Sequence, residues 1–356
     1  MTEKIKVGAD REVKFDKELR LKRQVDYDIN NYDIVPYWFE NQGAMNVYKN
    51  FNFSIFVDDY CNADCKFCVA QLRYENRKLM YKKARIEDDD EYFRRLEEVL
   101  KIIRPLNPSI SITGGEPSVC RRLPAILKLV DKFGFRKRTI TSNGSHLFDV
   151  VDGAPIIQHL IDCNWDHLNI SRTSTCDSLN REIMRYHDET YCSNDMLKEI
   201  ISVIDGSKLK HRISCLLLRD SVNSVEKIRD YVKFYVDKCG ANNFIFRELM
   251  DYDTTAVNEE KKAYCVANKV KLNDIWAEFE KFPEFEPYMN ILGYYYYVEI
   301  YKLFGATVAS ESANLNQQTL EVAAHPDMVY ETVFHPNGNL CASWIDHDRI
   351  LDKYKG

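Results

Sequence analysis

Cys61, Cys65 and Cys68 stand within one run, Cys61-Asn62-Ala63-Asp64-Cys65-Lys66-Phe67-Cys68, of a 356-residue chain. Thiolates are the usual protein ligands of iron–sulfur clusters and also bind zinc. Three of them this close can converge on one soft metal centre. A four-iron cluster needs four ligands, and no fourth cysteine follows closely, so one iron would stay open to a group that is not protein. The run by itself also admits structural zinc with a remote fourth ligand, or three thiols that are neighbours by chance.

The elements around the run carry the next inference. Phe53-Ser54-Ile55-Phe56-Val57 reads as a short strand leading into the first cysteine. An acidic start, Glu87 to Asp90, favours a helix dipole, and Tyr92, Phe93, Leu96, Val99, Leu100 and Ile103 follow at helical spacing. Ser109 to Thr113 is the next strand, ending in Gly114-Gly115-Glu116-Pro117. A helix over 123–133 stops at Gly134, and a strand over 139–141 ends in Ser142-Asn143-Gly144. The alternation continues with a helix at 154–162, a strand at 167–170 ending in Ser171-Arg172, and helices at 177–187 and 193–205. A buried strand at 212–218 leads to Asn223, a helix at 224–238 stops at Gly240, and a sixth strand covers 243–248. Strands separated by helices predict a parallel α/β sheet or partial barrel. Polar and glycine-rich clusters fall at one strand end after another, where such folds gather their functional groups.

Residues 1–48 read as an N-terminal extension in which Pro36, Tyr37 and Trp38 mark a packed turn, and 49–254 as the core. Residues 255–356 form a small α+β region expected over the mouth of the barrel. It holds a long helix through Val270, Leu272, Ile275, Trp276 and Phe279, and a strand from Tyr294 to Tyr301 returning after Gly305. Last comes a hairpin around Pro336-Asn337-Gly338-Asn339, Asn-Gly being a strong turn signal.

Bulk properties narrow the function classes. The net charge of −6 is spread among 49 basic and 55 acidic residues, which is not the footprint of a nucleic-acid binder. No apolar run approaches the ~20 residues of a membrane span, and the N-terminus has no apolar signal core. Eleven cysteines without an export signal, most of them single within helix- or strand-like surroundings, fit free thiols in a reducing cytoplasm.

The spacing Cys61-x3-Cys65-x2-Cys68, with Phe67 before the last cysteine, resembles the cluster loop of the radical S-adenosylmethionine (radical SAM) superfamily. The likeness extends over residues ~50–250 as an ordered series. Gly114-Gly115-Glu116-Pro117 resembles the family's motif after the second strand, and Ser142-Asn143-Gly144 its polar turn after the third. The resemblance implies a partial (β/α)6 barrel, with Cys61, Cys65 and Cys68 holding a [4Fe–4S] cluster whose open iron is chelated by S-adenosylmethionine. It implies that Gly114 and Gly115 let the backbone approach the methionine ammonium while Glu116 offsets its charge. Ser142, Asn143 and Ser171 would hold ribose hydroxyls, Arg185 would clamp the carboxylate, and Phe67 and Leu217 would flank the adenine. The implied reaction needs an external one-electron donor of flavodoxin or ferredoxin type and ends in hydrogen abstraction from substrate.

The substrate is less legible. Only about 50 residues precede the first core strand, too few for a cobalamin or leader-peptide domain of ordinary size, and no second group of cysteines follows downstream. Cys341 reads as a packed hairpin cysteine. A small metabolite is therefore expected, with a peptide side chain as the alternative. Arg172, Arg247 and Glu248, placed at strand ends, are the candidate substrate contacts; His335, Trp344 and His347 lie near the C-terminus, where the cavity could close.

Overall fold

The computed structural model describes residues 11–22, 33–69, 85–250, 258–292, 296–313 and 315–356. In chain order the principal strands are β1 (Arg11–Lys14), β2 (Ile34–Phe39), β3 (Gly43–Phe56), β4 (Ser109–Thr113), β5 (Lys137–Ser142), β6 (His167–Ser171) and β7 (Lys210–Leu216). They continue as β8 (Asn243–Arg247), β9 (Glu286–Leu292), β10 (Tyr296–Leu303), β11 (Ala306–Ala313), β12 (Met328–Phe334), β13 (Leu340–Cys341) and β14 (Ile350–Asp352). The helices are α1 (Leu19–Lys22), α2 (Asp89–Ile103), α3 (Leu123–Phe133), α4 (Ile156–Asp162), α5 (Asp177–Met184), α6 (Asn194–Ile204), α7 (Val225–Cys239), α8 (Glu259–Asn268), α9 (Leu272–Phe279) and α10 (Leu315–Ala324).

β3 to β8 pair in sequence order and all in parallel, which is the expected six-stranded partial barrel. Each return passes through helix, as parallel strands require. α2 begins where its sequence signals it: the Asp88 carboxylate accepts the Glu91 amide at 2.9 Å, and three acidic residues fill the first turn. The two faces of the barrel strands differ in kind. Ile110, Ile112, Ile140, Leu168, Ile170, Ile213, Phe244 and Phe246 are fully buried in the main core, the face that takes the helices. The alternate positions Ser111, Thr139, Thr141, Asn169, Arg212 and Ser214 are polar and only half-buried, so the concave face is not packed shut.

The sheet extends past the six strands on both sides. β11 adds in parallel to β8, and β10, β9 and β1 follow antiparallel. On the other side β12 adds in parallel to β3, with β13 and β14 beyond it. The path runs from β1 to β14 without closing. The C-terminal residues thus continue the sheet at both edges. Two local expectations change. Residues 36–38 lie in β2, which forms a hairpin with Gly43–Tyr48, so β3 starts ten residues before Phe53 and the expected boundary at 48 falls inside a strand. The long C-terminal helix is two, α8 and α9, broken at Lys269–Lys271 where the chain is extended and Leu218 bridges to Lys269. Of the strand expected from Tyr294, residues 293–295 lie outside the described set.

A buried ion pair fastens the N-terminal segment to the outer side of the C-terminal strands. Glu299 of β10 has no exposed side-chain surface and binds Arg20 of α1 through both oxygens, Arg20 Nη2 at 3.0 Å. Tyr297 and Tyr301 donate to the same carboxylate, and Asn290 of β9 accepts the Asp16 amide at 2.7 Å. Removing one member of a buried pair strands the other. Arg20→Met should therefore lower unfolding free energy in urea by roughly 3 kcal/mol, and adding Glu299→Gln should recover part of that loss; a single variant with an unchanged midpoint would exclude this clasp.

Candidate cofactor site

The cysteine loop leaves β3 at the C-terminal end of the parallel strands, and four sets of contacts hold its backbone. The segment after α5 pairs with it: the Asp64 amide donates to the Arg185 carbonyl at 3.0 Å, Lys66 to Ile183 at 3.0 Å, and His187 back to Asn62 at 2.8 Å. Lys261 of α8 enters from below, its side chain only 2% exposed, and donates to the Asp64 and Cys65 carbonyls while pairing with the Asp64 carboxylate at 3.0 Å. The loop's entry lies against the double glycine, Gly115 donating to Asp58 at 2.7 Å and Glu116 to Tyr60 at 2.9 Å. Asn62, next to the first cysteine, is buried and accepts from Asn143 at 2.8 Å while donating to Ser145 at 3.0 Å.

The three cysteines form no disulfide and are half-buried at residue level. Burial pushes the Cys65 thiol well above its ordinary value, and the neighbouring Cys68 and Cys61 add to the shift, while Lys261 opposes it. The sulfurs of Cys61 and Cys68 are thus both within electrostatic reach of Cys65. Among the described residues no three His, Cys, Asp or Glu side chains are gathered closely enough to hold a metal ion. The donor set, three soft sulfurs on one short loop, fits an iron–sulfur cluster.

Glu116 is buried, and its carboxylate is committed to protein. Oε1 accepts from the Ser118 amide at 2.9 Å, the Ser118 hydroxyl at 2.8 Å and the Ser142 hydroxyl at 2.6 Å; Oε2 accepts the Asn143 amide at 2.6 Å. Burial raises its pKa and these donors oppose the rise. Glu116 ties the loop after β4 to the loop after β5, a different task from offsetting an ammonium. The glycines likewise face protein. A Cβ on Gly115 would lie 1.8 Å from the Tyr60 carbonyl oxygen, and one on Gly114, at φ +149°, 2.5 Å from that of Asp58. The close approach that demands glycine is that of the cysteine-loop strand end.

The remaining expected contacts divide. Ser142 and Asn143 are buried in the network just described, Asn143 Oδ1 also accepting from the amide and hydroxyl of Ser145. Ser171, at the end of β6, is half-buried on the concave face, and no hydrogen bond engages its hydroxyl among the described residues. Arg185 caps α5 in the left-handed region at φ 50° and pairs with Glu260 at 2.7 Å and Asp64 at 4.0 Å. Its guanidinium is already taken by acids at the back of the loop. Phe67 packs in a small cluster with Ile183, Leu216, Leu218, Leu249 and Cys265, whereas Leu217 lies in the main core. The apolar groups beside Phe67 are therefore Leu216 and Leu218, because neighbours on an extended chain point to opposite sides.

Of the expected substrate contacts, Arg172 is corrected. Its side chain is fully buried, bonded to Tyr235, Asn194 and the Cys192 carbonyl and paired with Asp177 at 2.8 Å. It organises the core between α5, α6 and α7. Glu248 accepts the Leu272 amide at 2.8 Å at the start of α9 and lies 3.4 Å from Lys269, so it holds the break between α8 and α9. Arg247 does reach the concave face, paired with Glu311 at 3.0 Å and touching Ser214 at 3.4 Å. Cys341 is buried, with its sulfur against the Asp346 carbonyl, in accord with a packed cysteine. His335 is buried against Ser343, Trp344 packs on Phe56 and Val333, and His347 sits on Asp346. Sequence reading missed Asn62, Ser145 and Lys261. Asn62 and Ser145 look like ordinary loop residues, and Lys261 is distant in sequence and has no motif around it.

Residues 55–215 match the sequence profile of the Radical SAM superfamily. This stretch, which holds the cysteine loop, the double glycine and four of the parallel strands, is a Radical SAM domain, and enzymes of that superfamily use a [4Fe–4S] cluster and S-adenosylmethionine. The match over this domain selects the iron–sulfur reading over zinc. The chain is 30% identical over 117 residues to the S-adenosylmethionine-dependent nucleotide dehydratase of Lacinutrix mariniflava, covering 33% of this chain and 23% of that protein. It is 25% identical over 206 residues to the probable GTP 3',8-cyclase of Thermoplasma volcanium, covering 57% of this chain and 54% of that one. The matches thus span well under two thirds of either relative. Among solved structures, anSMEcpe with bound AdoMet is a distant match, with a TM-score of 0.41 and 12% identity over 65% of this chain and 62% of that one.

Two substitutions test how the loop is held. Gly115→Ala should displace the Asp58–Tyr60 segment, so that iron bound per chain after anaerobic reconstitution falls by more than half; full loading would contradict the packing. Lys261→Met takes the ammonium away from the Asp64 and Cys65 carbonyls and from the Asp64 carboxylate, a cost of roughly 2 kcal/mol. Hydrogen exchange of the amides between Cys61 and Cys68 should accelerate accordingly, and protection equal to wild type would show that Lys261 is dispensable.

Proposed function

We propose that the chain is a radical SAM enzyme acting on a small metabolite. When bound, the cluster supplies one electron for reductive cleavage of S-adenosylmethionine, yielding methionine and a 5′-deoxyadenosyl radical that takes a hydrogen atom from substrate. The chain's own contribution is positional. Cys61, Cys65 and Cys68 hold the cluster on a loop whose backbone is fastened by Lys261, Asn62 and the segment 183–187. Phe67 and Leu216, both partly buried, offer an apolar surface beside the third cysteine for the adenine, and Ser171 an uncommitted hydroxyl for the ribose. For Arg185 to clamp the carboxylate it must leave Glu260. The electron comes from an external donor of flavodoxin or ferredoxin type.

The observation that carries the reading is the pinned three-cysteine loop at the C-terminal ends of six parallel strands. What favours a small metabolite is the concave face below it, polar and half-accessible over Thr141, Asn169, Arg212 and Ser214. The names of the nucleotide dehydratase and the GTP cyclase point the same way. A peptide side chain is the other outcome of a substrate screen.

Anaerobically reconstituted protein should be brown and, with dithionite and S-adenosylmethionine, should release 5′-deoxyadenosine. Cys65→Ala should reduce that product to background. A colourless protein that binds zinc and forms no 5′-deoxyadenosine would refute the proposal.

A further inference from the structure

Arg212, in the middle of β7, faces the concave side of the barrel, where a charge is expensive unless paired. Among the described residues its side chain makes no hydrogen bond and no ion pair, and its Nε is buried without a partner. Asn169 is its register partner on β6, and the Asn169 Oδ1 is likewise buried and unpartnered. A donor and an acceptor thus lie side by side on adjacent strands without satisfying each other. The next charge along the face is Arg247, whose Nε is 3.0 Å from Glu311 and whose Nη1 reaches Ser214 at 3.4 Å. Two guanidinium groups therefore share one carboxylate. Burial and the repulsion of Arg247 lower the pKa of Arg212, with Glu311 opposing. His167, deeper on β6, is pushed down to about 4 by burial and by Arg212, so it is neutral at pH 7.

A half-buried arginine whose Nε has no partner, and whose nearest acid is already paired with Arg247, is a site suited to an anion. Its planar fork matches carboxylate or phosphate oxygens in pairs. We propose that Arg212 anchors an anionic group of the substrate inside the barrel, with Asn169 receiving a hydroxyl or amine donor beside it and Arg247 adding charge from the neighbouring strand. This inference deepens the small-metabolite reading and rests on it for the role of the bound group as substrate. Carboxylate and phosphate share the chemistry that Arg212 recognises, and the test separates them.

The test is calorimetric titration of the reconstituted full-length protein with inorganic pyrophosphate in one arm and succinate in the other, with 5′-deoxyadenosine formation measured on the same wild-type preparation. One of the two anions should bind saturably, at least about tenfold more weakly to Arg212→Met and less severely weakened by Arg212→Lys. Because Arg212→Met removes a half-buried charge that makes no ion pair of its own among the described residues, its ligand-free melting temperature should equal or exceed that of wild type. The proposal is overturned if neither anion binds, if Arg212→Met binds as tightly as wild type, or if Arg212→Met melts several degrees lower, which would make Arg212 a structural residue. The two readings fail separately. Wild-type protein that forms 5′-deoxyadenosine but binds neither anion loses only the anion site. Arg212-dependent anion binding without 5′-deoxyadenosine keeps the site and removes the radical chemistry.

Discussion

A loop that must present three thiols to one cluster needs a backbone that does not move, and a short loop without secondary structure cannot supply that rigidity. Here it comes from a buried polar network. Glu116 gathers Ser118, Ser142 and Asn143, and Asn143 in turn reaches Asn62, the neighbour of the first cysteine. Loops after three successive parallel strands are thereby locked to one another. In a low-dielectric interior such a network is stable only when each member is satisfied, which is why its residues are small amides and hydroxyls cross-bonded at short range. Lys261 closes the arrangement from the opposite side with an ammonium on two backbone carbonyls.

The same arrangement changes the meaning of several residues. The double glycine, Glu116, Ser142 and Asn143 fall where a cofactor contact is expected by resemblance, yet their donors, acceptors and close approaches are consumed within the protein. Their contribution is to fix the loops after β3, β4 and β5 to one another. The uncommitted groups lie elsewhere: the hydroxyl of Ser171, the partly exposed apolar surface of Phe67 and Leu216, and the guanidinium of Arg212. Groups that remain unsatisfied in a buried setting cost stability, and function is the ordinary reason to retain them.

The open sheet has its own logic. A closed barrel with large inward side chains fills its interior, whereas this one carries serine, threonine and asparagine on the concave face of β4 to β7 and adds strands at both edges. Room inside is bought with stability, which the long outer core and the Arg20–Glu299 clasp help to restore.

The local alternation of apolar runs and helical stripes determined the six parallel strands and the order of the loops at their ends, because period and punctuation are properties of neighbouring residues. The three cysteines and the double glycine were legible for the same reason, as short-range patterns. Tertiary structure alone decided which way each side chain faces once those strands are curved into a barrel. Arg172 and Arg212 look alike in sequence, one just past a strand and one within it, yet the first is saturated in the core and the second is unpaired in the lumen. Leu217 and its neighbours differ by a single step of a two-residue period. Lys261 reaches the cysteine loop from almost two hundred residues away, and no local pattern encodes a contact at that range.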